Sequence, residues 1–481
     1  MKHARWSTFV LLLTVAAFMA RPAHAQVVTP EVPAIEQAET FFQQGLEAFQ
    51  QGDYDGAYRR FRLVYETFPL NRKTTAATLM AGKALYRSGD YRTSAQLLTS
   101  FVSEYPKSSY VDDARRTISR AESVLENGPP RQPVSLGILL PLSADNVALT
   151  QALFNGIHLA VEEHNATPGA VPVRMVFRSS AGGPDQAAAA AADLINEGQV
   201  SAVIGPIFSP EAMAAGNVAE ASGVVLVAPL ATDEEVSEGR EFVFQANPTI
   251  TVRGQQMADF AVRTLGLRDF GIIAEEDEQS ISERMAEGFQ QEALQLGAAV
   301  KFFSTFPTGD GWSHLPEEIG DVRLSTAKAV YMPLPGENSA RKATAALTGL
   351  DQMNVSVQVL GNSEWNGLNA ISDASKYNTT FSDEFLVDQS NPALQTFQDQ
   401  YRATFGKALV ARDRRLPLTG YDVTRFILQQ MGNGSGERLR QALHRAPRYQ
   451  GLGIRLDFSE GNVNEALYFL RYEGGQIERL K

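Results

Sequence analysis

The chain has 481 residues, 44% of them hydrophobic, and a formal net charge of −12 at pH 7. A single hydrophobic core stops growing beyond about 250–300 residues, so this length predicts two or three domains. The acidic balance provides no basic face for nucleic acid and therefore argues against nucleic-acid binding.

The N-terminus has the pattern of a secretory signal peptide. Lys2 and Arg5 precede the apolar run FVLLLTVAAFMA, and the small residues of AHA at 23–25 suit a signal peptidase. We expect residues 1–25 to be a signal peptide that is removed near Ala25, which leaves a periplasmic chain. The alternative is a retained anchor helix, although the run is short for a membrane span.

The sequence contains no cysteine. It therefore lacks both disulfides and the residue that carries the lipid anchor of a bacterial lipoprotein. No later segment is apolar enough to be a transmembrane helix, so we expect a free periplasmic protein.

A repeated unit follows the signal. GLEAFQQGDYDGAYRRFRLVYETFP at 45–69 realigns on GKALYRSGDYRTSAQLLTSFVSEYP at 82–106, with glycine, aspartate, tyrosine and proline in register. In each copy the pattern predicts one helix that ends at Gly52 or Gly89, and a second helix that begins at the following Asp-Tyr. A closing helix is predicted at 110–126.

Residues 36–127 resemble the tetratricopeptide repeat family, particularly the long repeats of envelope proteins that work at the outer membrane. The resemblance implies an all-α domain whose concave groove binds a peptide or protein. The alternative is a helical spacer without a partner, since two repeats form a small groove. The proline-rich residues 128–133 predict a linker.

From residue 134 onward, apolar runs alternate with amphipathic helical segments. Such strand–helix–strand units indicate doubly wound parallel sheets, and two sets of them indicate two lobes with a ligand cleft. The predicted strands are 134–142, 171–178, 200–206, 224–229, 270–276, 299–306, 327–334 and 355–361.

The sequence contains no assembled catalytic motif. The histidines form no H-x-x-x-H pair, and there is no G-x-S-x-G elbow, P-loop or dinucleotide fingerprint. We expect no enzyme activity, catalytic residue, metal or cofactor.

The segment VSAVIGPIFSPEAMAAGNVAEASGVVLVAPLAT, residues 200–232, allows two interpretations. Ser209 precedes Pro210 and Glu211 as an N-cap would, and Thr232 stands three residues before Glu235 at capping-box spacing. Alternatively, each hydroxyl lies beside free amides at a helix start and binds an anion. The two serve adjacent strands and would then converge on one carboxylate.

Residues 134–481 resemble the type I periplasmic binding proteins of the leucine/isoleucine/valine branch. The resemblance is carried by LGILLPLSA, FNGIHLAVEEHN, the 200–232 segment, TGYDVTRFIL and YQGLGIRLDF. It implies an α/β fold of two lobes with doubly wound parallel sheets. The first lobe would comprise about 134–247 and 389–450, and the second about 248–388 and 451–481.

The resemblance also implies a ligand site. Ser209 and Thr232 would bind the ligand's carboxylate, assisted by backbone near Phe208, Leu230 and Ala231. In the second lobe, the usual acid for the ligand's ammonium is replaced by Ser363, and Glu364 follows one residue later. Gln279, in EEDEQS, is a secondary candidate. Leu149 and Pro335 occupy positions where this family usually has aromatic residues.

We therefore expect a periplasmic protein that resembles the amino-acid receptors of ABC transporters and binds a small amino-acid-like ligand. Its repeats would contact a permease or another envelope protein. The alternative is an envelope scaffold or activator of peptidoglycan synthases that uses a degenerate binding-protein fold. The order of repeats and binding-protein fold is also similar to the outer-membrane lipoproteins that activate penicillin-binding proteins.

Overall fold

The computed structural model describes residues 32–127, 133–307, 311–336, 338–432 and 434–480. The expected signal peptide and most of the expected linker lie outside the described residues. The chain divides into two compact units, Met1–Pro130 and Arg131–Lys481.

The first unit contains helices that pack consecutively, each on the next. They are α1 (Glu36–Gln50), α2 (Tyr54–Glu66), α3 (Thr74–Ser88), α4 (Tyr91–Glu104) and α5 (Val111–Asn127). Gly52 and Gly89 follow α1 and α3 with φ of 82° and 92°, the left-handed conformation that glycine adopts readily. Asp53 and Asp90 then cap α2 and α4, each accepting an amide hydrogen bond three residues later. The two turns of the sequence repeat are therefore built in the same way.

The second unit contains strands in three sheets. The strands are β1 (Val134–Leu140), β2 (Val173–Ser179), β3 (Val200–Ile204), β4 (Val225–Ala228), β5 (Val243–Gln245), β6 (Asp269–Glu275), β7 (Ala299–Phe306), β8 (Ala329–Tyr331), β9 (Gln358–Gly361), β10 (Thr380–Asp383), β11 (Tyr449–Gln450), β12 (Arg455–Leu456), β13 (Tyr468–Glu473) and β14 (Gln476–Arg479). The first lobe has the parallel order β2-β1-β3-β4-β5. The second has the order β14-β13-β10-β9-β8-β6-β7, in which β13 pairs antiparallel with both β10 and β14 and the other pairs are parallel.

Helices cover both faces of these sheets. They are α6 (Val147–Ala166), α7 (Pro184–Asn196), α8 (Ser209–Ser222), α9 (Ile250–Asp259), α10 (Ile281–Gln295), α11 (Leu315–Glu318), α12 (Asp321–Leu324), α13 (Ser339–Gln352), α14 (Ile371–Lys376), α15 (Pro392–Phe405), α16 (Arg415–Met431) and α17 (Glu437–Arg445). Ile138 packs in the core beside α6 and α16, whereas the next residue, Leu139, packs in the core beside α7 and α8. Successive residues of a strand point to opposite faces, so strands buried on both faces are apolar throughout.

The chain crosses between the lobes three times: after β5, after β10 and after β12. The sequence places the third crossing at residue 451, but the structure places it after Phe458, because Leu456 and Phe458 pack in the first-lobe core. Asp422 of α16 explains this difference. Its buried carboxylate accepts the amides of residues 452, 453 and 454 at 2.8, 2.8 and 3.1 Å, which holds that segment on the first lobe. This tertiary contact has no local sequence signature.

Candidate functional site

Ser209 lies at the start of α8, just beyond the carboxyl end of β3. Ser209 does not cap the helix, because the N-cap is Phe208. Its hydroxyl is not free either, because it accepts a hydrogen bond from the backbone amide of Asp233 at 3.3 Å. That bond joins the loop after β3 to the loop after β4. Among the described residues, the amides of Ser209 and Glu211 donate no hydrogen bond. This helix start therefore keeps two N–H groups for an anion.

Thr232 follows β4 and is half-buried. The short helical turn after it begins at Glu234 and has no side-chain cap, so the predicted capping box is wrong. The Thr232 carbonyl accepts the amide of Ile250, while its hydroxyl and its own amide make no hydrogen bond within the described part of the chain. Thr232 can therefore offer two donors to a ligand.

The backbone at Leu230 and Ala231 is partly committed within the first lobe. The Leu230 carbonyl accepts from the Asn247 amide group at 3.0 Å, and the Ala231 carbonyl accepts from Gln245 at 3.2 Å. These bonds anchor the loop that carries Thr232. The two carbonyl oxygens are thus occupied, and the backbone N–H groups of the loop are the groups that can donate to an anion.

Apolar side chains also follow the first-lobe strands at this edge of the sheet. Leu142 follows β1 and Phe208 follows β3, on neighbouring strands, and both side chains are exposed. Leu149 is half-buried and packs on the first-lobe core, and Pro335 of the second lobe is buried. The first-lobe edge thus combines N–H donors with an apolar surface.

Glu364 lies after β9 in a turn held by its neighbours. Asn362 exchanges hydrogen bonds with the backbone of Leu334, and the Trp365 indole donates to the Met332 carbonyl at 2.8 Å. Among the described residues, the Glu364 carboxylate makes no hydrogen bond or ion pair. A half-buried carboxylate in a fixed turn can accept a cation.

Gln279 follows β6, on the same edge of the second-lobe sheet as Glu364, and its side chain is exposed. The backbone amide of Gln279 donates to the Asp277 carboxylate, which also accepts the backbone amides of Ile281 and Ser282. The N-terminus of α10 is thus already occupied by a carboxylate of the chain itself. An acidic residue just before a predicted helix was the available sequence signal for this cap.

Glu275 ends β6 and is almost completely buried. Its carboxylate binds the Lys342 ammonium at 2.9 Å and the Trp312 indole N–H at 2.6 Å. Although it belongs to the EEDEQS segment, Glu275 is therefore neutralised inside the second lobe. Its charge is not available to a ligand.

Two groups of ion pairs cross between the lobes. Arg284 of α10 contacts Asp233 at 3.3 Å and pairs with Glu234, directly after Thr232. Glu384, in the second crossing, pairs with Arg253 at 3.6 Å and with Arg415 of the first lobe. Sequence reasoning missed these arginines because pairs of residues far apart in the chain leave no local pattern. The lobes thus meet beside the Thr232 loop and at the second crossing.

Within the described residues, no group of three or more histidine, cysteine, aspartate or glutamate side chains is arranged to hold a metal ion. No helix in this described part of the chain has the length and apolarity that a membrane crossing requires.

Comparisons with known proteins give a match for each unit. Residues 133–476 match a periplasmic binding protein family, and residues 35–125 match an outer membrane lipoprotein family. The Leu/Ile/Val-binding protein homolog 8 of Brucella abortus is 24% identical over 378 residues, which cover 72% of this chain and 89% of that protein.

Solved structures share the fold of the second unit. A Rhodospirillum rubrum protein, described as a branched-chain amino acid ABC transporter, has 22% identity and a TM-score of 0.58 over 73% of this chain and 100% of its own. An ABC transporter substrate-binding protein of Desulfitobacterium hafniense in complex with Leu has 16% identity and a TM-score of 0.51 over the same shares. These relatives are solute-binding proteins and not enzymes. This chain belongs to the periplasmic binding protein family and carries an additional N-terminal helical repeat unit.

Proposed function

We propose that this protein is a periplasmic receptor that closes its two lobes on an amino acid with an apolar side chain. The observation that carries the proposal is the set of unused donors at the ends of β3 and β4. The amides of Ser209 and Glu211 and the hydroxyl and amide of Thr232 are free of partners in the described structure, and they match one carboxylate. A helix N-terminus adds a favourable dipole for that negative charge.

Glu364 supplies the second half of the proposed site. An amino acid carries an ammonium beside its carboxylate, and the unpaired Glu364 carboxylate offers it a charge-assisted hydrogen bond. The exposed side chains of Leu142 and Phe208 favour an apolar ligand side chain. The binding of Leu by the Desulfitobacterium protein of the same fold is consistent with this ligand class.

Binding of leucine, isoleucine and valine should therefore be measurable by calorimetry on the full mature chain. A ligand at 100 times its dissociation constant adds about 2.7 kcal/mol to the free energy of unfolding, which a thermal-shift assay detects. Ser209→Ala combined with Thr232→Val should strongly weaken this stabilisation, because the carboxylate loses the Thr232 hydroxyl and the Asp233 loop loses the Ser209 hydroxyl that holds it beside α8. Glu364→Gln should weaken the binding of the amino acid but not the binding of 4-methylpentanoate, which is leucine without its ammonium group.

The matched control is Ser325→Ala combined with Thr326→Val. These hydroxyls donate to carbonyls in their own turn, before the amino end of β8 and away from the proposed site. The control variant should bind as the wild type does. Binding retained by the Ser209/Thr232 variant would refute the assignment of the site, and no binding of any amino acid by the wild type would refute the receptor function.

We further propose that the helical repeats contact another envelope protein, either a permease or a second partner. The match of residues 35–125 to an outer membrane lipoprotein family supports this role. A photo-crosslinker at Leu70, an exposed apolar residue of the repeats, should give a discrete adduct in intact cells. The same crosslinker at Val322, an exposed apolar residue of the second lobe, is the control. Identical adduct patterns from the two positions would contradict the role of the repeats.

A further inference from the structure

We propose that the first lobe carries a second ligand site, a cavity that binds a small carboxylic acid with an apolar body. The cavity has a volume of about 440 Å³ and lies between the first two turns of α6, the end of α15 and the start of α16. This volume falls within the range of about 300–1,000 Å³ that is typical of small-molecule sites. Leu149, which lies beside the proposed amino-acid site, belongs to its lining, but Ser209, Thr232 and Glu364 do not, so the cavity adjoins that site without sharing its polar groups.

One part of the cavity lining is apolar. It is formed by Ala148, Leu149, Ala152, Leu409 and Leu416, with the ring of Tyr401. The Tyr401 hydroxyl oxygen accepts a hydrogen bond from Asn155 at 2.9 Å, so the hydroxyl is engaged by α6 while the ring belongs to the cavity lining. An apolar ligand body therefore gains burial against these side chains.

The other part of the lining is cationic. Lys407, Arg412 and Arg415 stand against one acid, Asp413, in a chain whose net charge is −12. Within the described residues the Lys407 ammonium has no ion-pair or hydrogen-bond partner. Arg412 is 87% exposed, with Asp413 3.7 Å away, and Arg415 stays 48% exposed although it pairs with Glu384.

The position of α16 adds to this positive potential. Its first turn lines the cavity and contains no acidic residue, so the positive end of the helix dipole adds to the charge of the three cations, against the single acid Asp413 that precedes the helix. A carboxylate at the cationic rim and an apolar body on the alkyl floor satisfy both parts of the lining. An inorganic anion would leave the apolar floor in contact with water.

The probe for this site is octanoate, titrated by calorimetry into the full mature chain at low ionic strength. We expect saturable binding that weakens about tenfold or more in Lys407→Gln combined with Arg412→Gln, and that falls as salt screens the two charges. Ala152→Phe should also abolish binding by filling the cavity. Circular dichroism would establish that each variant is folded.

The matched control is Lys328→Gln, which removes an exposed lysine before β8, at the opposite ends of the strands. It should bind octanoate as the wild type does. The proposal is overturned if the wild type does not bind octanoate, if the Lys407/Arg412 variant binds it equally well, or if the control loses it equally.

Competition separates this site from the amino-acid cleft. Saturating leucine, and the Ser209→Ala/Thr232→Val variant, should leave octanoate binding intact, and loss of binding in either case would overturn a separate site. Conversely, octanoate binding that depends on Lys407 would stand even if no amino acid bound at all. The two proposals therefore fail independently.

Discussion

Glu384→Gln is expected to lower the free energy of unfolding by about 3–5 kcal/mol at pH 7, because the substitution leaves Arg253 and Arg415 without their shared carboxylate. Glu384 is buried, Arg253 is mostly buried, and the three groups connect the second crossing to both lobes. Urea denaturation followed by tryptophan fluorescence is a suitable measurement. The two tryptophans of the described residues, Trp312 and Trp365, both lie in the second-lobe core and report its unfolding.

The pH dependence provides a second readout of the same prediction. Burial opposes ionisation of the Glu384 carboxyl, but Arg253 and Arg415 outweigh it and hold its pKa below the ordinary value of 4.5. The stabilisation is therefore present above about pH 4.5 and is lost as the pH falls further, so wild type and variant should converge in acid. Burial and the Glu384 charge raise the pKa of the neighbouring Asp383. Because Glu384→Gln removes that charge, the variant should lower the pKa of Asp383 part of the way back.

Glu437→Gln is the matched control for this experiment. Glu437 pairs with Arg440 on the surface, where screening by water makes ion pairs weak. The urea denaturation midpoint of the Glu437→Gln variant should stay close to that of the wild type. Equal midpoints for Glu384→Gln and wild type at pH 7, or a difference that does not narrow in acid, would contradict the structural role of Glu384.

Glu275→Gln is expected to have an effect of similar size, about 3–5 kcal/mol, on the stability of the second lobe. The substitution retains an oxygen that accepts the Trp312 indole N–H, but it leaves the Lys342 ammonium, 15% exposed, without a counter-charge. Trp312 fluorescence should report both the unfolding transition and the altered contact.

The double variant Glu275→Gln with Lys342→Met tests the cause of that loss. Removing the stranded ammonium should restore most of the stability, because replacing both members of a buried ion pair is often close to neutral. The two effects would then be strongly non-additive, as expected for side chains in contact. Additive losses would show that the ion pair is not the source of the destabilisation.

The predicted elements agree best with the structure where burial alone specifies the pattern. The predicted strand 299–306 coincides with β7, and a helix, α8, begins at Ser209, where the sequence predicts a helix start. The strand β5 has only three residues and was not assigned, because a pattern of that length is not distinguishable from a loop. The third crossing was placed too early because the Asp422 contact joins segments 30 residues apart.

The candidate site shows the same division. Placement of Ser209 and Thr232 at the ends of adjacent strands followed from the strand–helix order and from the family resemblance. Their capping roles were wrong, because the partner of the Ser209 hydroxyl is Asp233 in the next loop and not its own helix. The cationic cavity, the Glu384 pairs and the Glu275–Lys342 pair had no sequence signal, since charged residues near helix ends are common on any surface.

The sequence by itself determined the export signal pattern, the helical repeats, the alternation of strands and helices, and the family resemblance, because each of these is a local or periodic pattern of hydrophobicity and turn residues. Only the tertiary structure decided which charges are neutralised and which remain available. Glu275 and Glu384 are buried and ion-paired, whereas Glu364 and Lys407 have no ion-pair partner among the described residues. That difference depends on contacts between distant segments, where desolvation and pairing set the energy of a charge, and a linear pattern does not contain them.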